Sequence, residues 1–195
     1  MNKKDIVSSI VIGEICAWLL LIIAKDLGAK IPFWWLFPIA LPLLSVFGIL
    51  VAYWLGKKII VIYQLAKFLL VGVLNTLVDL GILNLIILFV EVSSGIWYSI
   101  FKGFSFLVAV INSYFWNKWW TFEKKGEGGG KEFSQFLMVS VIGFGINVGI
   151  ASLVVNISGP QLGLSPKIWA NVGAVMATLC SMLWNFVGYK FIVFK

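Results

Sequence analysis

The chain has 195 residues, of which 61% are hydrophobic and 12% charged, and its formal net charge is +7. A soluble domain carries about 25% charged residues, so apolar surface on this scale calls for lipid rather than water as its solvent. Every basic residue is Lys; with no His and no Arg, a Ser-His-Asp triad, a His metal site and a His general base are excluded.

A helix rising ~1.5 Å per residue needs about 20 residues to cross ~30 Å of hydrocarbon, and the length allows six such spans. The first apolar run covers Ile6 to Ala24, behind Lys3 and Lys4. It is longer than the apolar core of a signal peptide and no A-x-A cleavage site follows, so it is read as a true span. The second, Phe33 to Tyr53, contains Pro38 and Pro42, which kink it or delay its start. Ile59 to Ala66 is expected to lie along the interface, and Lys67 then opens a third run from Phe68 to Val90.

After a polar turn at Glu91 to Gly95, a fourth run covers Ile96 to Trp116. Lys118 to Glu132 is a long polar stretch; its glycines at 126 and 128–130 follow no strand and lead to no Lys-Ser/Thr ending, so they form a flexible linker rather than a P-loop. A fifth run spans Phe133 to Ile157, Ser158 to Pro166 forms a loop, and a sixth run extends from Ile168 to Val187. Cys16 and Cys180 both fall in apolar runs without metal-ligand spacing and read as buried free thiols.

The lysines set the topology. With a cytoplasmic N-terminus, 11 of the 15 fall on the inner side, and Lys25, Lys30, Lys102 and Lys167 on the outer. The positive-inside rule therefore places both termini in the cytoplasm, and tryptophans at the span ends (Trp34, Trp35, Trp97, Trp119, Trp120, Trp169) suit interfacial depth. Lysines that flank spans do not form one basic face, so no nucleic-acid partner is expected.

The last four spans repeat one unit. Phe68, Leu69, Val71 and Val73 align with Phe136, Leu137, Val139 and Val141; at the same offset Asp79 meets Asn147, Gly81 meets Gly149 and Leu85 meets Leu153. The units also end alike, Lys118 to Phe122 matching Lys190 to Phe194. Each holds an even number of helices, so the copies run parallel, unlike inverted transporter repeats. The expected fold is thus an all-α polytopic membrane bundle of six helices. An extra two-helix segment covers residues 1–58, and a four-helix domain covers 59–195, with repeats at about 67–123 and 135–195.

Lys67, Phe68, Val71, Gly72, Asn75, Thr76 and Asp79, with Asn112 to Tyr114 and Asn117 to Phe122, resemble the GtrA-like family, which is related to the transmembrane domain of some dolichol-phosphate mannose synthases. Phe136, Asn185, Phe186, Lys190, Val193 and Phe194 extend the resemblance through the second unit. The family pattern is four helices, so the first two here are extra. The basic position of each ending, often Arg in relatives, is Lys118 and Lys190; Lys keeps the charge but loses the bidentate fork for phosphate. The resemblance implies handling of a polyprenyl- or dolichyl-phosphate-linked sugar in glycan assembly, either by moving it across the membrane or by seating a glycosyltransferase partner.

Ionisable groups at membrane depth usually face a cavity or a partner. Asn75, Thr76 and Asp79 sit at helical spacing in the third span and Lys102 in the outer part of the fourth. They form either a polar cleft for a charged head group or, with Asp79 on Lys102 or on Asn residues, a structural tie. Lys118 and Lys190 either attract a lipid phosphate as point charges or snorkel and fix topology. The head-group set is then Asn75, Thr76, Asp79, Lys102, Asn112, Asn117, Lys118, Asn185 and Lys190. Small residues four apart, Gly145 and Gly149, then Gly173, Ala177 and Ser181, favour close helix packing, within the bundle or in a homo-oligomer.

Three functions remain: translocation of a lipid-linked sugar, without ATP because no ATP-binding motif is present; docking of a glycosyltransferase; or proton-coupled export of a small solute through Glu14 or Asp79. No cofactor, metal or catalytic constellation is expected. The topology makes a direct prediction: single cysteines replacing Lys3 and Lys195 are labelled by an impermeant maleimide from the same side of the membrane, measured in intact and permeabilised cells.

Overall fold

The structure, a computed structural model, describes residues 1–26, 30–90, 95–124, 129–158, 160, 161, 163, 176 and 179–194. Among them regular structure is helical throughout, and the protein is a helical membrane bundle. Helix α1 covers Lys3–Asp26. A 3-10 turn at Trp34–Leu36 leads into α2, Phe37–Gly56. Helix α3 covers Ile60–Val90, α4 Gly95–Trp116 and α5 Gly130–Ser152, and α6 is described over Leu179–Val193. Three helices of the described residues, over Lys3–Lys25, Trp34–Gly56 and Ile60–Ile86, are long and apolar enough to cross a bilayer.

Pro38 sits in the first turn of α2, where its missing N–H costs nothing, and Pro42 lies one turn further in. The start is delayed as the prolines require. The stretch from Ile59 to Ala66 departs from the sequence reading: from Ile60 onward it is the opening of α3 rather than a separate interfacial segment. At 31 residues α3 is about 46 Å long, well beyond the hydrocarbon thickness. This carries Lys67 into the body of a helix.

Two compact units divide the chain, Met1–Glu123 and Lys124–Lys195. In the first, α1 and α2 pack on each other and both pack on α3, which also pairs with α4. Ile12, Cys16, Ile49, Ala52, Tyr63, Val71, Leu74 and Trp120 form its core. Large apolar side chains such as Leu43, Phe47, Trp54 and Phe104 stay exposed, as a lipid-facing surface requires and a water-facing one would not tolerate. Helices α1 and α2 touch at Gly13, where an added Cβ would lie 2.6 Å from the Pro42 Cα.

In the second unit α5 meets α6 at Gly143, which lies under the Asn185 side chain, and at Gly188, whose Cβ would lie 2.5 Å from Val139. The expected packing glycines, Gly145 and Gly149, are not at this contact: a Cβ on either meets nothing within 4 Å. Gly173 and Ala177 lie outside the described residues. Cys16 is buried as expected, whereas Cys180 is exposed; both are free.

The two units end in the same unusual way. Asn117–Thr121 and Tyr189–Val193 are both five-residue π-helical turns. Each is closed by a backbone bond, Phe122 N–H to Asn117 C=O at 2.9 Å and Phe194 N–H to Tyr189 C=O at 2.8 Å. A third π-helical stretch, Leu153–Ser158, follows α5, and the aligned residues 85–90 are α-helical, so the shared departure is confined to the endings.

Gly13→Val forces a branched side chain against helix backbone and is expected to destabilise the first unit by about 1–3 kcal/mol. Gly48→Val, with nothing within 4 Å of its Cβ, stays within about 0.5 kcal/mol. Thermal unfolding in detergent compares the two.

Candidate functional site

The strongest polar feature of the first unit gathers at the start of α1. Lys67 and Asp5 are each 2% exposed, and the Lys67 ammonium lies 2.6 Å from an Asp5 carboxylate oxygen. The same ammonium is 2.9 Å from the half-exposed Glu123 carboxylate and donates to the Trp120 carbonyl at 3.4 Å. The Trp120 indole N–H donates to Asp5 at 3.1 Å. Lys4 donates to the Trp119 carbonyl.

The reason for this convergence lies in the π turn. Carbonyls in the last turn of a helix lack intrahelical donors and attract cations, and two lysines supply the donors here. Glu123, directly after the turn, takes a left-handed backbone (φ 50°), which costs a non-Gly residue about 1–2 kcal/mol. Its carboxylate is held there by the ion pair with Lys67.

A second polar line follows the seam between α3 and α4. The Asn112 amide donates to the Asn75 side-chain oxygen at 2.6 Å, and the Ser105 hydroxyl donates to Asp79 at 2.6 Å. Thr76 does not join them; its hydroxyl turns back to the Gly72 carbonyl at 3.0 Å. Asp79 therefore bonds to a serine of the facing helix, and the Lys102 side chain lies outside the described residues. Asn117 donates to the Ser113 carbonyl at 2.9 Å and to its hydroxyl at 3.1 Å, while its own side-chain oxygen is buried without a hydrogen-bond partner.

Lys118 is 3% exposed. Its ammonium lies 3.4 Å from the Tyr114 hydroxyl oxygen and above the Tyr114 ring. A snorkelling lysine would be exposed at its tip, so that reading does not hold for this residue. Its counterpart Lys190 is half-buried and lies near the Phe186 and Phe191 rings, at 5.9 and 5.6 Å. Elsewhere in the second unit the Asn147 amide donates to Ser181 at 3.3 Å, and the Asn185 side-chain oxygen is buried without a partner. Tyr189 stacks on Phe136 at 4.2 Å and shares a 2.6 Å hydrogen bond with Ser140.

The family described as GtrA/DPMS, transmembrane domain, matches residues 67–194. The chain belongs to this family. The GtrA/DPMS match begins at Lys67, so α1, α2 and the first turns of α3 lie before it. A relative, the uncharacterized membrane protein YngA of Bacillus subtilis (strain 168), is 32% identical over 133 residues, covering 68% of this chain and 80% of the relative. No solved structure matches the chain.

Sequence reasoning missed Asp5, Glu123 and the pairing of Lys67, which the sequence marks as bordering a span and opening the family resemblance but not as part of a site. The available signal was Asp5 itself, an acid set directly behind Lys3 and Lys4 at the start of an apolar run. Glu14, by contrast, is tied locally, accepting from the Trp18 indole at 2.8 Å.

Asp5→Ala leaves a buried lysine with half its counter-charge and is expected to destabilise the protein by about 3–5 kcal/mol. Asp5→Leu combined with Lys67→Met removes both buried charges and is expected to recover most of that loss. A double-mutant cycle on thermal stability in detergent measures the coupling.

Proposed function

We propose that this GtrA/DPMS-family membrane protein moves a polyprenyl- or dolichyl-phosphate-linked sugar across the cytoplasmic membrane, with both its termini on the cytoplasmic side. What supports the reading most is the polar seam between α3 and α4. A charge within a span costs roughly 2.5–3.5 kcal/mol to insert, and intramembrane hydrogen bonds return only about 0.6 kcal/mol on average. The pair Asp79–Ser105 is therefore a poor bargain as a structural tie, and a polar track for a head group accounts for it better.

Lys118 gives the track an end. A compact ammonium is a point charge for phosphate, and its burial strengthens that attraction. The lipid chain stays in the bilayer while the phosphate and sugar follow the polar seam. No step requires a catalytic residue, and movement runs down the concentration gradient of the lipid.

Reconstitution into liposomes with a labelled polyprenyl-phosphate sugar tests the reading. Wild type is expected to accelerate transbilayer movement. Loss of one charge-assisted contact worth about 1.5–3 kcal/mol slows movement at least tenfold in Lys118→Ala, and Asp79→Asn slows it in the same direction. Equal movement with and without protein removes the proposal. Intact glycan modification in Asp79→Asn and Lys118→Ala cells, with a copurifying glycosyltransferase, points instead to a docking subunit.

A further inference from the structure

A cavity of about 450 Å³ opens beside the Lys67–Asp5 pair, within the size range of small-molecule sites. Its walls include Asp5, Tyr53, Tyr63, Gln64, Lys67 and Thr121. Four of these six precede residue 67, where the family match begins, so the cavity is built at the junction of the N-terminal helices with the family domain.

Its chemistry narrows the ligand by elimination. An anion would have to displace two carboxylates already within 2.9 Å of the Lys67 ammonium. A cation would seek an aromatic face, but Lys67 lies 4.5 Å from the Tyr63 ring centre and Lys57 5.9 Å from that of Tyr53. An apolar ligand would leave the buried polar groups unmatched.

Unused hydrogen-bonding capacity remains. The Thr121 side chain is 2% exposed, and its hydroxyl has no hydrogen-bond partner. The Gln64 side-chain carbonyl is also buried and without one. The Tyr63 hydroxyl is a third such atom; native structures leave few unsatisfied, and three of them on residues lining one cavity are explained by a ligand that donates as well as accepts. Hydroxyl groups do both, and they bond to carboxylates and to an ammonium without disturbing a closed ion pair.

We propose that this cavity binds an uncharged polyhydroxylated group, the sugar rather than the phosphate end of a glycolipid. The assignment to a glycolipid rests on the function proposed above; the preference for a neutral polyol rests on the cavity alone.

Ile60 lines the cavity and is 61% exposed, so Ile60→Cys in a full-length background with Cys16→Ser and Cys180→Ser places a reporter thiol at its rim. The rate of maleimide labelling is measured with free glucose, galactose or mannose, with inorganic phosphate and with tetramethylammonium. At about ten times its dissociation constant, a protecting hexose slows labelling roughly tenfold, while phosphate and tetramethylammonium leave the rate unchanged. Adding Thr121→Val or Gln64→Leu is expected to weaken hexose protection while the thiol keeps its unliganded reactivity. Protection by none of the hexoses, meaning a cavity that holds water alone, overturns the proposal, as does equal protection by phosphate or tetramethylammonium. Hexose protection in a protein that moves no lipid upholds the cavity and removes only the transport reading.

Discussion

A lysine buried at the edge of a membrane bundle must find negative charge, because an unpaired ammonium out of water costs several kcal/mol. In this protein the requirement falls on Lys67, and it is met by Asp5 at 2.6 Å and Glu123 at 2.9 Å. Asp5 comes from the first turn of α1 and Glu123 from the end of the first repeat. One cation therefore fixes three pieces of chain at a single point. The Trp120 indole and carbonyl close the same knot, which gives the extra N-terminal helices a physical reason to dock where they do.

The repeat shows what this charge means by showing where it is absent. The first helices of the two units align at a constant offset, and at that offset Lys67 becomes Gln135 and Asp79 becomes Asn147. Both changes neutralise a charge. The π-helical endings are kept, but among the described residues the second unit pairs polar groups with neutral partners, such as Asn147 on Ser181 and Tyr189 on Ser140. At these two positions the first repeat is charged and the second neutral, and the acidic counter-ions of Lys67 are found with the charged one.

Much of the fold was legible because bilayer thickness and helical rise leave little freedom. The apolar runs coincide with α1, α2, α4 and α5 to within five residues at either end, and Pro38 marks the start of α2 because only the first helical turn accepts it without loss. The knot was not legible. Asp5 and Lys67 are 62 positions apart in sequence, and no periodicity links residues on different helices. The π turns leave no composition signature either, since they differ from an α-helix only in which carbonyl each N–H reaches. Reading Ile59 to Ala66 as interfacial hid the consequence: with those residues at the surface Lys67 borders a span, whereas in a continuous α3 it lies within one. Of the nominated residues, Asn75 and Asn112 bond to each other across α3 and α4, while Asp79, one turn along the same face, meets Ser105, which was not nominated. Thr76 fails because a helical threonine can bond its own preceding turn.

The position of the cavity follows from the same constraint. Helix ends leave carbonyls without donors, and a π turn shifts the hydrogen-bonding pattern within the last of them. Lys4 and Lys67 bind carbonyls of the Asn117–Thr121 turn, yet the Thr121 hydroxyl beside them stays unsatisfied. Filling that space with apolar side chains would have been the cheaper solution for stability. Keeping a buried ion pair, a strained Glu123 and an unpaired hydroxyl around one opening costs folding free energy three times over. Costs concentrated at a single place in this way are characteristic of binding sites rather than of packing.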